Sequence, residues 1–333
     1  MYFNSKNNPL LFIAEVGSNH EGSFTEAKKI VKEACKSNAD VIKIQTYTAE
    51  NMVSKANDLE RYKHFKKLEL DISQYIEIAK ICKKYKKKFS ASIWDRDQIK
   101  PLNKFIDIYK VGSGDILNFE IIRKILLTKK PLVVSTGLSK IDEIKKLVKF
   151  IKKNSSYIKD KKLALLHCNT AYPTPINDVN LLEINKIKKT FKLTTGYSDH
   201  TIGDSSIVAA YIMGAQIVEK HFSINPNKKT FRDHQISFDK SQVNNYLRVI
   251  KNISKMISLK NNKKTKSEIK QKSEKSFRRS IYAKSIIRKG QKFNSNNIIS
   301  LRPKSYVCSS KFFELIKKKS KRNYVKGDPI RND

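Results

Sequence analysis

Two histidines, His200 and His221, stand about one strand–helix unit apart, and each closes a short run of β-type residues. Imidazoles on the ends of neighbouring strands can share a divalent cation, and Asp199 and Glu219 flank this pair as further candidate contacts. Two imidazole ligands leave coordination positions open, the arrangement by which a bound cation polarises a carbonyl. Ala14-Glu15-Val16-Gly17-Ser18-Asn19-His20-Glu21-Gly22 is equally dense in chemistry. Helix capping by Ser18 or Asn19 accounts for one of its polar residues but not for all of them. Lys43 lies inside the apolar run Val41-Ile42-Lys43-Ile44, and strand alternation puts it on the same face as Gln45. An unpaired ammonium buried at such a position is costly, so Lys43 reads as functional.

Three segments suit an anion. Lys110-Val111-Gly112-Ser113-Gly114 and Ser135-Thr136-Gly137 combine hydroxyls with small residues whose N–H groups an anion can approach. Lys43, Lys110 and Lys130 supply matching charge. His167-Cys168-Asn169-Thr170-Ala171-Tyr172-Pro173-Thr174-Pro175 adds a polar loop stiffened by two prolines.

Such residues act together only if a scaffold gathers them. From residue 10 to about 225 a short β-branched run and a helical period alternate. The strands expected are Leu11–Val16, Val41–Gln45, Lys88–Ser92, Asp107–Val111, Pro131–Ser135, Lys162–His167, Leu193–Tyr197 and Gln216–Glu219. Eight such units predict a (β/α)8 TIM barrel, an α/β fold that collects the C-terminal ends of its strands into one mouth. Ser23-Phe24-Thr25-Glu26 is a capping-box pattern opening the first helix, and no GxGxxG follows the first strand. The barrel domain is expected over 1–259. Residues 260–275, rich in Lys, Asn and Ser, read as a linker, and 276–333 as a small β-rich domain.

The formal net charge is +38, but only 11 of the 69 basic residues are arginine. Nucleic-acid readers favour arginine forks, so the excess of lysine speaks against a nucleic-acid partner. No run of about 18 apolar residues predicts a membrane helix. Four scattered cysteines without metal-knuckle spacing fit reduced thiols in a cytoplasmic protein.

The ordered segments AEVGSNHEG at 14–22, VIKIQT at 41–46, YKVGSGD at 109–115, KPLVVSTG at 130–137, LLHCNTAYPTP at 165–175, GYSDHTIG at 196–203 and EKHF at 219–222 resemble the sialic acid, or nonulosonate, synthases. These include N-acetylneuraminate, N,N'-diacetyllegionaminate and pseudaminate synthases. The stretch 278–303 is similar to their C-terminal antifreeze-like (SAF) domain. The resemblance implies condensation of phosphoenolpyruvate with an N-acylated mannosamine-type sugar. It implies Mn2+ (or another divalent metal) on His200 and His221, with Glu15, Lys43, Tyr172 and Glu219 as catalytic residues. Gln45, Ser113, Lys130, Ser135, Asn169, Thr170, Ser198 and Asp233 are the implied substrate contacts. Arg302 is the implied contribution of a partner subunit in a domain-swapped homodimer. Asn169-Thr170-Ala171 departs from the commoner family pattern and the segment between Gln45 and Ser73 is short, and both regions touch the sugar there; Thr230-Phe231-Arg232-Asp233-His234-Gln235 departs from the pattern as well. The alternatives are a related synthase for a phosphorylated acceptor, which the SAF-like region and the YPTP loop oppose, and a catalytically silent carbohydrate-binding relative, which the retained charged residues oppose.

Overall fold

The computed structural model describes residues 2–227, 231–257 and 264–332. It contains two compact units, Met1–Ser258 and Leu259–Asp333. In the first, eight parallel strands close on themselves: β1 Leu11–Glu15, β2 Val41–Thr46, β3 Lys88–Ile93, β4 Ile108–Val111, β5 Leu132–Ser135, β6 Leu163–Cys168, β7 Thr194–Asp199 and β8 Ile217–His221. All eight fall within two residues of the expected ends, because most of the strands are apolar runs bounded by turn residues.

Alternation along the strands divides the core. Phe12, Ala14, Ile42 and Ile44 face outward and pack against the helices. Leu11, Ile13, Val41, Ile108, Val133, Ala164, Leu166 and Ile217 fill the barrel interior, and Phe3 joins them. The helices lie on the outward layer through single apolar stripes. Helix Phe24–Lys36 buries Ala27, Ile30, Val31, Ala34 and Cys35, and Ser23 caps it by accepting from the Glu26 N–H. One step further along each strand the inward residues turn polar, and the site begins there.

The second unit is held by an antiparallel pair, β9 Ser280–Ala283 and β10 Ile298–Leu301. Its core is small: Ile281, Ala283, Ile287, Phe293, Ile298, Val307, Leu315, Tyr324 and Ile330. The expected linker is partly helical. Helix Lys266–Lys270 starts at a capping box in which the Thr265 side chain accepts from the Glu268 N–H, and helix Ser273–Phe277 follows. A Thr-x-x-Glu start outweighed the polar composition there. Thr230 and the part of the linker at 260–263 lie outside the described residues.

Candidate active site at the barrel mouth

Strand register builds the floor of the mouth. Glu15 of β1 stands level with Lys43 of β2 on one side and His221 of β8 on the other. Ser198 of β7 stands level with Glu219 of β8 and with Cys168 of β6. The same inward phase carries Ser92, Lys110 and Ser135. Together these residues line a cavity of about 590 Å³ with Gln45, Ser113, Thr170, Tyr172, His200 and Asp233.

The floor is a network of buried opposite charges. Lys43 contacts the Glu15 carboxylate, stands 3.5 Å from Glu219 and donates to the Ser92 hydroxyl at 3.0 Å. It is therefore paired, not the lone ammonium that the strand pattern suggested. Burial alone would favour neutral Lys43, but the Glu15 and Glu219 carboxylates raise its pKa. Lys110 donates to Ser135 at 2.7 Å and lies 3.7 Å from Glu219. Burial pushes this second ammonium down. Burial also opposes ionisation of Glu219, yet Lys110 and Lys43 beside it hold its carboxyl down at about 2. The Ser198 hydroxyl donates to the same carboxylate at 3.1 Å.

Beside the floor stand the histidines, their ring centroids 5.5 Å apart. His200 donates from Nδ1 to the Asn169 carbonyl at 2.5 Å, which leaves the Nε2 lone pair as its acceptor. Burial, with His221 alongside, lowers its pKa to about 3, so the ring is neutral. Tyr172 stacks on His200 at 3.9 Å and presents an edge to His221. Burial pushes the Tyr172 phenol up, so it is a hydroxyl donor rather than a base. The Arg232 guanidinium covers its ring at 4.6 Å. Gly17 makes room for His221: its φ is +54°, and a Cβ there would lie 2.9 Å from the imidazole Cε1. Gly137 does the same for Ser113, whose hydroxyl accepts from the Gly137 N–H at 3.0 Å.

Four buried atoms of this mouth have no hydrogen-bond partner among the described residues: Glu15 Oε1 and Oε2, Glu219 Oε2 and His221 Nδ1. Glu15 Oε2 is ion-paired with Lys43; the other three, two carboxylate oxygens and an imidazole nitrogen, are a donor set for a cation or a hydroxylated ligand. Among the described residues no group of three or more His, Cys, Asp or Glu side chains could hold a metal ion by itself. The protein atoms that would hold a cation here are His200 Nε2 and His221 Nδ1, which leaves the remaining positions to ligand or water.

Several expected contacts lie elsewhere. Lys130 precedes β5, and its ammonium binds the carbonyls of Asn103 and Ile106 at the opposite end of the barrel. Lys110 and Lys43 are the lysines of the mouth. Asp199 points outward, away from the histidines, to a fully buried ion pair with Lys220 at 2.5 Å. Asn169 turns its side chain to its own loop, donating to the Asp178 carbonyl and accepting from the Ala171 N–H. Only its carbonyl serves the site, through His200. His20 is buried within the β1 loop, accepting from the Gly22 N–H at 3.1 Å. Asn19 ties the same loop to the Phe222 carbonyl and the Ser237 hydroxyl. His234 pairs with Ser223 at 2.6 Å and with Glu21 at 3.3 Å. Arg302 lies in the second unit, donating to the Phe277 carbonyl. The sequence reading missed Ser92, Trp94, Arg61, His64 and Phe65, all of which line the cavity. Ser92 and Trp94 share the parity of Ser90 along one strand, a signal present in the sequence.

A closed barrel whose mouth holds paired lysines, paired carboxylates and two imidazoles defines the class, a TIM barrel with a charged site at the C-terminal ends of its strands. Comparison with known proteins places it further. Residues 30–262 match the NeuB family model, and the chain belongs to the NeuB family. It is 34% identical to an N,N'-diacetyllegionaminic acid synthase of Campylobacter jejuni, over 96% of this chain and 98% of that one. It is 29% identical to a C. jejuni pseudaminic acid synthase, over 97% of this chain and 95% of that one. The crystal structure of an N-acetylneuraminic acid (sialic acid) synthetase from Leptospira borgpetersenii, solved in complex with citrate, superposes with a TM-score of 0.72 at 27% identity. It covers 80% of this chain and 91% of that one.

Proposed function

We propose that the mouth condenses phosphoenolpyruvate with an N-acylated mannosamine-type sugar, giving a nine-carbon 2-keto acid and phosphate for surface polysaccharide biosynthesis. The observation that carries this reading is the charged floor of Lys43, Lys110, Glu15 and Glu219 beside the two imidazoles of His200 and His221, in a chain of this family. Lys110 with Ser113, Ser135 and Ser198 holds the phosphate and carboxylate of phosphoenolpyruvate. Lys43 completes that set and orients Glu15. His200 and His221 would hold Mn2+ or another divalent ion, which when bound supplies Lewis-acid polarisation of the sugar aldehyde. Gln45, Thr170, Tyr172 and Asp233 position the sugar.

In the reaction C3 of phosphoenolpyruvate forms a bond to C1 of the open-chain sugar, and the aldehyde oxygen takes up a proton. C2 is left electron-poor, and the unpartnered Glu15 Oε1 stabilises that charge and positions water for attack on it. The C–O bond to phosphate then breaks, and the water's remaining proton leaves as the 2-keto group forms. We further propose that the second unit is an SAF domain. In a domain-swapped homodimer it would bring Arg302 to the mouth of the other subunit, as an arginine fork for oxygen-rich groups. No helix among the described residues is long and apolar enough to cross a membrane. That observation, with four free cysteines, supports action in the cytoplasm. Phosphate release from phosphoenolpyruvate, measured with a panel of N-acyl mannosamines with and without Mn2+, tests the reading. Release that needs both sugar and Mn2+ supports it, and release with neither or none at all overturns it.

A further inference from the structure

A second cavity of the barrel unit lies at the N-terminal ends of the strands, opposite the mouth. It holds about 1330 Å³, and Leu11 and Phe89, at the starts of β1 and β3, stand in its wall. Seven of its 19 lining residues are lysines, and they come from four separate parts of the chain. Lys6 precedes β1, four lie between residues 83 and 88 where helix Ile72–Lys84 passes into β3, Lys104 precedes β4, and Lys251 belongs to helix Lys240–Ile257. Two aspartates stand against them, and both are engaged in the fold. Asp40 accepts from the Ser5 hydroxyl at 2.5 Å, the Asn8 amide at 3.2 Å and the Phe12 N–H at 2.9 Å. Asp107 accepts from the Phe89 N–H at 2.9 Å. Lys87 is fixed in the wall, donating to the Ser37 and Ala39 carbonyls at 2.8 Å and 2.6 Å. Lys6, Lys83, Lys86 and Lys251 are exposed and form no ion pair among the described residues.

A chain this rich in lysine carries the residue on every face, so charge alone does not mark a site. On its convex helices lysines are offset locally. Lys29 with Glu26, Lys36 with Glu33, Lys145 with Asp142 and Lys186 with Glu183 are ion pairs three residues apart. In the cavity the ammoniums instead converge on one volume without counter-charge. Ammoniums brought together from distant parts of the chain repel one another until an anion lies between them, and a concave wall of one sign concentrates their field. Lysine meets phosphate as a compact point charge, so several around one volume suit several linked phosphates. Of the two aromatic residues in the lining, Phe89 is buried, and the Lys104 ammonium lies over the Phe105 ring at 5.0 Å. Phosphate, rather than a stacked base, is what such a wall can read.

We propose that the cavity at the base of the barrel is a binding site for a small molecule carrying two or more linked phosphate groups. The proposal is independent of the chemistry assigned to the mouth. Titration calorimetry of the full chain with sodium tripolyphosphate, without added metal, tests it. One saturable site per chain is expected. The triple variant Lys83→Gln, Lys86→Gln, Lys251→Gln should weaken it at least about tenfold, since one charge-assisted hydrogen bond is already worth about that much. The triple variant Lys146→Gln, Lys149→Gln, Lys153→Gln, on the exposed face of helix Ile141–Asn154, removes the same charge and should change it less than about twofold, because distant surface charges are screened. Lys110→Met, at the mouth, should leave it unchanged. ATP should displace tripolyphosphate. Equal affinity identifies the phosphate chain itself as the ligand, tighter ATP identifies a nucleotide, and either result supports the site. Equal losses in the two triple variants would reduce the binding to diffuse attraction by a basic surface and overturn the proposal. Loss in Lys110→Met would assign the binding to the mouth and overturn it too, as would an absence of saturable binding or a failure of ATP to compete.

Discussion

Lys220 and Asp199 offer the sharpest test of how the two histidines are held. Each immediately precedes one of them on its strand and points out of the barrel. Their charged atoms meet at 2.5 Å with both side chains fully buried. Asp199 also accepts from the Tyr197 hydroxyl at 3.0 Å, the Thr201 N–H at 3.1 Å and the Ser206 hydroxyl at 3.0 Å. Lys220 donates to the Thr201 carbonyl at 2.6 Å and lies 5.1 Å from the Phe238 ring. Lys220→Met leaves a buried carboxylate without its counter-charge, a change that costs about 3–5 kcal/mol. Four neutral donors, the three above and the Thr201 hydroxyl at 3.2 Å, stay in place, so the lower end of that range applies. For a unit of this size about 3 kcal/mol lowers Tm by roughly 6–12 °C. Asp199→Asn in the same chain removes the stranded charge and should restore at least half of the loss. Urea unfolding of the two single variants and the double variant gives the coupling directly. A Lys220→Met chain within about 1 kcal/mol of the native one, or strictly additive variants, would refute the reasoning.

His221→Ala should abolish Mn2+-dependent turnover and bound-Mn2+ signals in electron paramagnetic resonance while leaving the circular dichroism unchanged, since strand-end residues lie above the packed layers. Retained Mn2+ binding would exclude the two-histidine site. Burial lowers the His20 pKa to about 4, with Glu21 opposing. The unfolded chain therefore binds the extra proton first, and stability should fall as pH drops from about 6.5 to about 4, by up to about 3 kcal/mol. His20→Gln should flatten that part of the urea-stability profile, and an unchanged slope would remove His20 as its cause. Arg302→Ala and Glu15→Ala, each inactive alone, should regain activity when co-refolded, because one site of a mixed dimer joins an intact barrel to an intact second domain. Mixed dimers that form and stay inactive contradict the swapped arrangement.

The barrel was legible because its signal is redundant. Eight apolar runs at a repeating interval, each followed by a helical stripe, leave few other folds. The site was legible where strand parity was followed. Lys43 with Gln45, and Glu219 with His221, point inward as alternation requires. Parity would also have turned Asp199 and Lys220 outward, since each lies between two inward residues, but proximity to the histidines had suggested a metal contact. Lys130 was misplaced for a related reason. It stands five residues before Ser135 in a rising strand, and at about 3.3 Å per residue that is roughly 17 Å from the mouth. Phe65 carried no motif of its own, although strand parity already turned Trp94 toward the mouth. Their meeting depends on how the segment after β2 folds over the mouth, a long-range event that local pattern does not encode.

The most direct measurement of the central claim is the fate of one oxygen. Phosphoenolpyruvate labelled with 18O in the bridging position is turned over with an N-acylated mannosamine-type sugar and Mn2+, and both products are weighed by mass spectrometry. Condensation at the barrel mouth predicts a nine-carbon 2-keto acid free of the bridging label and phosphate that carries it. A label retained in the keto acid, or no nine-carbon product at all, would contradict the account.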